Sequence, residues 1–216
     1  MKSDIAENPS SSVSLHTAQA FTGPSTSHHR SGYGATNSLL LTDGKMTPES
    51  RSYDYKFIMN QLSDQSDKKF ITVSIGDKTY RIQHQQGDSA YEASWNVAEI
   101  LYDEIRDCKT DIADIASNLG YKQENIDKVK DHVFYKTHKL DTCPEDITYG
   151  RFDASLEQAL AWKRLEANSH NPDDLTWLKH ELAEQHHEVK YGSGYREAHN
   201  RAQSRYNGYP WDDRWE

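Results

Sequence analysis

The apolar residues of this 216-residue chain recur at helical spacing from Ala90 onward. In YEASWNVAEILYDEIRD they fall on one face of a helix, at positions Ala90, Ala93, Val97, Leu101 and Ile105. Glycines then divide the rest of the chain into successive helical segments, with breaks at Gly120 and at 192–194. The sequence therefore predicts a mainly α-helical domain.

One β-hairpin is predicted ahead of these helices. Phe70–Gln83 has two runs of β-branched and aromatic residues on either side of Gly76-Asp77. Glycine in the first turn position is typical of a type II′ turn, which joins two antiparallel strands through two residues. We also expect a short helix within Ser52–Asp64.

The first 50 residues differ in composition from the rest of the chain. They are rich in Ser, Thr, Gly, Pro and Asn and show no sustained period of 2 or 3.6. Hydrophobic residues make up 35% of the chain and the mean hydropathy is -0.96, so part of it buries little apolar surface. We expect a disordered Ser/Gly-rich arm at 1–50, an accessory part with the hairpin and a helix at 51–108, and a helical domain at 109–216.

Charge and cysteine content exclude several classes of protein. The formal net charge of -9 gives no general attraction to nucleic-acid backbones. Cys108 and Cys143 form no CxxC pair, so neither a disulfide scaffold nor a cysteine-based zinc site is indicated. The sequence predicts no membrane span and no Sec signal, so that export would need a non-Sec route.

The segment 110–134 has the spacing of a helix-turn-helix unit, with Ala116, Gly120, Ile126 and Val129 at the positions where two helices cross closely. DNA binding and tight helix packing both explain this spacing. We expect the second helix to run through 123–138, where DHVFYKTH could contribute a further imidazole to a site. This helix mixes Glu124, Asp127 and Asp131 with three lysines, whereas a phosphate-facing helix is usually basic. The charge pattern therefore favours helix packing.

The segment LKHELAEQHHEVKYGSGYREAH, residues 178–199, carries the residues most suggestive of chemistry. It begins like the zinc-peptidase motif H-E-x-x-H, but Glu184 stands where the second histidine would be. On a helical wheel His180, Glu184 and His187 share one face. The opposite stripe, which we expect to be the buried one, consists of Leu175, Leu178, Leu182 and Val189.

His199 lies on the next helix, beyond a Gly-Ser-Gly reversal so short that the two helices must be neighbours. A divalent metal such as zinc could be bound by His180, Glu184 and His199, with Glu181 as the proton acceptor. Alternatively, the histidines could act without metal on a phosphodiester, with Arg151, Arg164 or Arg196 neutralising the phosphate. A peptidase ranks third because its motif is broken. The structural alternative is a solvated polar face beside a hydrogen-bonded core histidine.

Five stretches resemble a known family: KVKDHVF (128–134), RFD (151–153), ALAWKRL (159–165), DDLTWLKHELAE (173–184) and GYREAH (194–199). Over about residues 112–211 the chain is similar to a C-terminal toxin domain of Rhs-type and other polymorphic bacterial toxins. The resemblance draws attention to His180, Glu181, His199 and the pair Asp131-His132 as catalytic candidates.

The resemblance implies an effector that is secreted or injected and that acts in the cytoplasm of a target cell. Its implied partners are a cognate immunity protein and either delivery machinery or a larger toxin polypeptide. We expect a hydrolytic toxin, with a nuclease as the first hypothesis by analogy within this delivery class and nucleic acid as a possible substrate. The alternatives are a metal-dependent peptidase toxin and a non-catalytic DNA-binding or particle-structural module.

Overall fold

A computed structural model describes residues 52–83, 88–143 and 145–206. These residues form seven α-helices, one π-helical turn and two antiparallel strand pairs. The predicted mainly helical fold and its β-hairpin are confirmed. The predicted arm at 1–50 and the aromatic, acidic end at 207–216 lie outside the described residues.

The elements follow one another along the chain in an order that begins with a helix and a hairpin and continues with helices. They are α1 (Tyr55–Ser63), β1 (Phe70–Ile75), β2 (Lys78–Gln83), α2 (Ala90–Asp107), α3 (Asp111–Leu119), α4 (Gln123–Lys130), the π-helical turn (Asp131–Tyr135), β3 (His138–Leu140), β4 (Thr148–Gly150), α5 (Leu156–Glu166), α6 (Pro172–Tyr191) and α7 (Tyr195–Arg205).

The hairpin pairs Ile75 with Lys78, so that its turn consists of Gly76 and Asp77. Gly76 has a φ of 62°, which the first position of a type II′ turn requires, whereas Asp77 does not have a positive φ. The alternating side chains Ile71, Val73 and Ile75 of β1 are buried. The predicted turn is therefore present, and one face of the hairpin closes one side of the core.

A single hydrophobic core joins the two parts that the sequence separates at residue 108. Ile58 of α1 and Leu101 of α2 are fully buried with Trp162 of α5. The side-chain guanidinium of Arg164 also donates a hydrogen bond of 2.6 Å to the backbone oxygen of Tyr53. The hairpin, α1 and α2 thus pack directly against the C-terminal helices.

Helices α5 and α6 begin where their capping residues predict. Ser155 caps α5. At α6, Asn171 is the N-cap and forms a capping box with Asp174, and Pro172 lies between them in the first turn. Asp174 also accepts two hydrogen bonds from Arg164, of 2.8 and 2.6 Å, in a buried pair. This bidentate contact fixes the start of α6 against α5.

The helix predicted through residue 138 ends earlier. Helix α4 stops at Lys130, and the following turn is π-helical, with the Lys136 backbone N–H donating to the Asp131 oxygen at 2.8 Å. His138 therefore lies in strand β3, which pairs with β4 in a second small sheet that the sequence does not predict. The π-helical turn points three successive residues inward, since His132, Val133 and Phe134 are all buried.

The α3–α4 unit has the tight crossing that its spacing predicts. Gly120 ends α3 in the left-handed conformation, and Ala116, Ile126 and Val129 are buried. Lys130 is buried as well, and its ammonium group lies 2.8 Å from the Asp111 carboxylate. The apolar positions of this unit thus serve helix packing. None of the described helices is long and apolar enough to span a membrane.

Candidate metal centre

Helix α6 buries its polar face. Five buried residues follow one another along this helix at helical spacing: Asp174, Trp177, His180, Glu184 and Glu188, with Glu181 and Leu178 beside them. The predicted buried stripe is only partly correct, because Leu175 and Leu182 are half-buried and the side chain of Val189 is 66% exposed. The reason is that α4, α5, α7 and the π-helical turn all contact α6 and enclose its histidine-bearing side, whereas Val189 lies in its last turns.

Three side-chain atoms of α6 and α7 form a nearly equilateral triangle. His180 Nε2 lies 3.2 Å from His199 Nδ1 and 3.3 Å from Glu184 Oε2. His199 Nδ1 lies 3.1 Å from the same Glu184 oxygen. Tetrahedral ligands at about 2.0–2.1 Å from a zinc ion are about 3.3–3.4 Å apart, so these edges have the length of one face of such a tetrahedron.

The hydrogen bonds within this triangle depend on the tautomers of the two histidines. Each imidazole nitrogen has either one proton or one lone pair, and the carboxylate oxygen only accepts. If both His180 Nε2 and His199 Nδ1 carry protons, two N–H groups face each other at 3.2 Å. If one of them does not, its lone pair faces the Glu184 carboxylate. A cation in the centre would satisfy all three atoms at once, so these buried His and Glu side chains could hold a metal ion.

The start of α7 is fixed from strand β3, and this places His199. Gly194, the N-cap of α7, has no side chain to accept a hydrogen bond, and Asp141 accepts one from the Arg196 backbone N–H instead, at 2.9 Å. A Cβ atom on Gly194 would lie 2.0 Å from the Asp141 carboxylate. Gly192 ends α6 with a φ of 62°. The reversal thus needs both glycines, each for a different physical reason.

One side of the triangle opens into a cavity of about 240 Å³. Its lining consists of Phe152, Asp153, Gln158, Glu181, Glu184, Tyr195 and His199. The hydroxyl of Tyr195 lies 3.5 Å from His199 Nδ1, and the His199 side chain is 22% exposed while His180 is fully buried. A ligand could therefore reach the triangle past Tyr195 and His199.

His132 reaches the cluster from the π-helical turn, as the sequence predicts, but Asp131 does not. The His132 Nε2 atom lies 3.2 Å from Glu184 Oε1 and 3.7 Å from Glu181 Oε2, and its side chain is fully buried. Asp131 is exposed, because in this turn the side chain before His132 points outward. The structure thus brings together five of the six predicted site residues: His132, His180, Glu181, Glu184 and His199.

Glu188 and His138 extend the cluster beyond what the sequence predicts. His138 Nδ1 lies 3.1 Å from both Glu188 oxygens, and its Nε2 lies 2.8 Å from the His132 backbone oxygen. Lys136 Nζ donates to Glu188 at 2.8 Å, and Phe152 stacks on the His138 ring. Glu188 could have been found, because it lies one helical turn beyond Glu184. The sequence predicts that His138 could supply a further imidazole from a helix, but that helix ends before it reaches His138.

The histidines shift the pKa values of the glutamates. Burial by itself raises the pKa of Glu184, but hydrogen bonds from His132, His180 and His199 outweigh burial and hold this pKa well below its usual range. The pKa of Glu188 is lowered in the same way by His138 and Lys136, against the effect of burial. Burial lowers the pKa of His132, although Glu184 opposes this. The cluster thus favours ionised glutamates beside a neutral His132.

Several other candidates of the sequence lie outside the cluster. His187 contacts Ser193 Oγ at 3.0 Å and the ring of Tyr191. Of the three arginines considered for phosphate binding, Arg164 is held by Asp174, while Arg151 and Arg196 are exposed and do not line the cavity. The described residues therefore bring no arginine to the site.

Comparisons with known proteins do not identify the chain. No family model matches its sequence, and neither the curated proteins nor the solved structures contain a significant match. The resemblance to polymorphic-toxin domains consequently stays a prediction.

Proposed function

We propose that the protein is a metal-dependent hydrolase whose ion is held by His180 Nε2, Glu184 Oε2 and His199 Nδ1. The observation that supports this most strongly is the triangle of these three atoms, with edges of 3.1–3.3 Å. The three atoms lie close enough together to bind one ion. Two imidazoles and one carboxylate are a ligand set that suits zinc.

The site has the features that a catalytic rather than a structural ion needs. Three protein ligands leave a fourth tetrahedral position, and the cavity beside His199 gives that position access to solvent and substrate. A bound zinc ion makes its water acidic enough to attack as hydroxide near neutral pH. Glu181 is 4% exposed and lines the same cavity, where it accepts the proton of that water.

Amide hydrolysis fits this site better than phosphodiester hydrolysis. In zinc peptidases of the H-E-x-x-H type, the first histidine and the residue four positions later bind the ion, and the glutamate between them is the base. Here His180, Glu181 and Glu184 take these positions, and His199 on the next helix completes the same two-histidine, one-carboxylate set in another order. Tyr195 lines the same cavity, and its hydroxyl is a hydrogen-bond donor that a substrate there could contact.

Charge also favours an amide substrate. Among the described residues that line the cavity, Asp153, Glu181 and Glu184 are acidic, and no lysine or arginine is present. Apart from a bound ion, the described residues of the cavity offer a phosphodiester no basic group to contact. Nuclease activity, the first hypothesis from the sequence, is therefore the second candidate. Nuclease activity is favoured by a second group of residues, His132, Glu181 and Glu184, that could hold a cation, because many nucleases use two ions.

The biological role that we propose is that of a toxin effector. The support is the resemblance to polymorphic-toxin domains over about residues 112–211, whose motifs include five of the cluster's residues: His132, His180, Glu181, Glu184 and His199. A hydrolase of this kind would act in the cytoplasm of a target cell after non-Sec delivery, and an immunity protein would protect the producing cell.

Controlled expression of the full chain in the bacterial cytosol tests this proposal. We expect growth arrest with the wild type and normal growth with His199→Ala at the same protein level. His187→Ala is the matched control, because His187 is a histidine of the same helical hairpin that contacts Ser193 and not the cluster. It should arrest growth like the wild type.

The products in arrested cells then separate the two substrates. Protein fragments that appear with the wild type and not with His199→Ala, with intact RNA and DNA, support amide hydrolysis. Degraded nucleic acid with intact protein favours the second candidate. Normal growth with the wild type, together with failure of the purified chain to bind zinc, would refute the proposed function.

A further inference from the structure

The two oxygens of the Glu184 carboxylate face different sets of ligands. Oε2 belongs to the triangle with His180 and His199, whereas Oε1 lies 3.2 Å from His132 Nε2 on the other side. His132 Nε2 is also 3.7 Å from Glu181 Oε2, and the ligand atoms of His132, Glu181 and Glu184 all lie within 4.8 Å of one another. A second group of one imidazole and two carboxylates therefore adjoins the first.

The surroundings of His132 do not suit a neutral imidazole without a neighbouring cation. If its single proton is on Nε2 and is donated to Glu184, the Nδ1 lone pair is fully buried, has no hydrogen-bond partner among the described residues and faces Glu188 at 3.8 Å. If the proton is on Nδ1 and points to Glu188, the Nε2 lone pair faces the carboxylates of Glu181 and Glu184. A cation between Nε2 and these carboxylates makes the second arrangement favourable.

The groups behind His132 match this second arrangement. Metal-binding histidines usually direct their other ring N–H at a carboxylate, which fixes the tautomer and the ring orientation. Glu188 is the carboxylate that faces His132 Nδ1, and Lys136 and His138 hold it in place with contacts of 2.8 and 3.1 Å. His138 in turn contacts the His132 backbone oxygen at 2.8 Å, so that the ring and the backbone of His132 are held from the same side.

We propose that the cluster binds two divalent ions, the second of them through His132 Nε2, Glu181 Oε2 and Glu184 Oε1. Glu184 bridges the two ions, which in carboxylate-bridged pairs are about 3.5–4 Å apart. This inference rests on the proposed function, because the first ion shares Glu184. It also changes the role of Glu181, which binds the second ion in the doubly loaded protein and accepts a proton in the singly loaded one.

Metal stoichiometry tests the second position directly. The purified full chain is stripped with a chelator and titrated with Zn²⁺, and bound zinc per chain is measured by elemental analysis after gel filtration. A parallel titration with Co²⁺ follows the absorbance of each equivalent. We expect two ions per wild-type chain, with the second equivalent of Co²⁺ adding a distinct spectral step.

Two conservative substitutions should each remove one ion. Glu181→Gln and His132→Asn keep the approximate size of the buried side chain but lose a ligand, and we expect each variant to bind one ion. The matched control is His187→Asn, a histidine of the same helix that contacts Ser193 and lies outside both ligand sets, which should still bind two ions. Circular dichroism establishes that each variant is folded.

The outcomes separate this inference from the proposed function. One ion per chain in the wild type and also in Glu181→Gln overturns the second position and leaves the single-ion hydrolase intact. No bound zinc in the folded wild type overturns both proposals. Two ions in the folded Glu181→Gln and His132→Asn variants would show that a second ion binds elsewhere, which also refutes the assignment.

Discussion

His199 Nδ1 lies 3.1 Å from Glu184 Oε2, although the two residues belong to different helices. If an ion binds between them, zinc should stabilise the protein against heat, because a ligand that binds only the folded state at 100 times its Kd contributes about 2.7 kcal/mol. We expect zinc to raise the Tm of the wild type by several degrees and to raise the Tm of His199→Ala by clearly less, because that variant keeps only the second ligand set. Differential scanning calorimetry with and without a chelator measures this.

The control for the thermal measurement is His187→Ala, in which zinc should raise the Tm as in the wild type. An equal zinc-dependent rise in His199→Ala would show that His199 is not a ligand. The side chain of His199 is 22% exposed and contacts Glu184, so the zinc-dependent shift of each variant is measured from the Tm of its own metal-free form.

Gly194→Ala should weaken zinc binding by about 10- to 100-fold, the range typical of groups that orient metal ligands. The new Cβ would meet the Asp141 carboxylate, which then loses its hydrogen bond with the Arg196 backbone and releases the start of α7. Zinc affinity is measured by competition with a chromophoric chelator.

The double variant Gly194→Ala with Asp141→Ala provides the control for this prediction. It removes the steric conflict, so we expect it to bind zinc more tightly than Gly194→Ala alone. Wild-type affinity in the single variant would show that α7 does not depend on this contact.

Acid should destabilise the metal-free protein in two stages. Burial lowers the pKa of His132, so the unfolded state binds a proton that the folded state does not, and stability falls once the pH drops below the unfolded value of about 6.5. The depressed pKa of Glu184 contributes stability that is present above its unfolded pKa of about 4.3 and is lost as the pH falls towards the lower folded value. Urea unfolding from pH 8 to pH 3 follows both stages.

The first stage can be assigned by substitution. In His132→Asn the loss of stability between about pH 6.5 and pH 4.5 should be smaller than in the wild type. The same loss in both proteins would mean that another group takes up the proton.

Asp111→Ala should reduce the free energy of unfolding by about 3–5 kcal/mol, because it leaves the buried ammonium group of Lys130 without its carboxylate. It also removes the acceptor of the Trp162 indole N–H, 2.9 Å away. Urea unfolding of the metal-free protein measures the change. The double variant with Lys130→Met should recover part of the loss, and a cost below about 1 kcal/mol for the single variant would contradict the prediction.

The parts of the fold that depend on local sequence could be predicted. The Gly76-Asp77 turn, the left-handed Gly120 and the Asn171-Pro172 start of α6 are each encoded within a few residues. The early end of α4 could not be predicted. At this point Lys130 is buried against Asp111, which is distant in sequence, and the next turn has a π-helical hydrogen bond for which no residue pattern is known.

The same distinction applies to the candidate site. Helical spacing places His180 and Glu184 on one face, and the short reversal brings His199 to them, so this part follows from local geometry. Which face of α6 is buried does not follow, because it is decided by the packing of α7 and the π-helical turn around the helix. The helical wheel thus places the leucines and the histidines on different faces correctly. It predicts that Val189 is buried, whereas Val189 is exposed.

The contacts of Glu184 with His199 and with His132 close two loops of very different length. His199 lies 15 residues away in sequence and His132 lies 52 residues away. Because each doubling of a loop costs roughly 0.6 kcal/mol more in closure entropy, the His132 contact is the more expensive one to form from the unfolded chain. The α6–α7 hairpin can therefore assemble its three ligand atoms early in folding, whereas His132 joins them only once the α4 segment has docked.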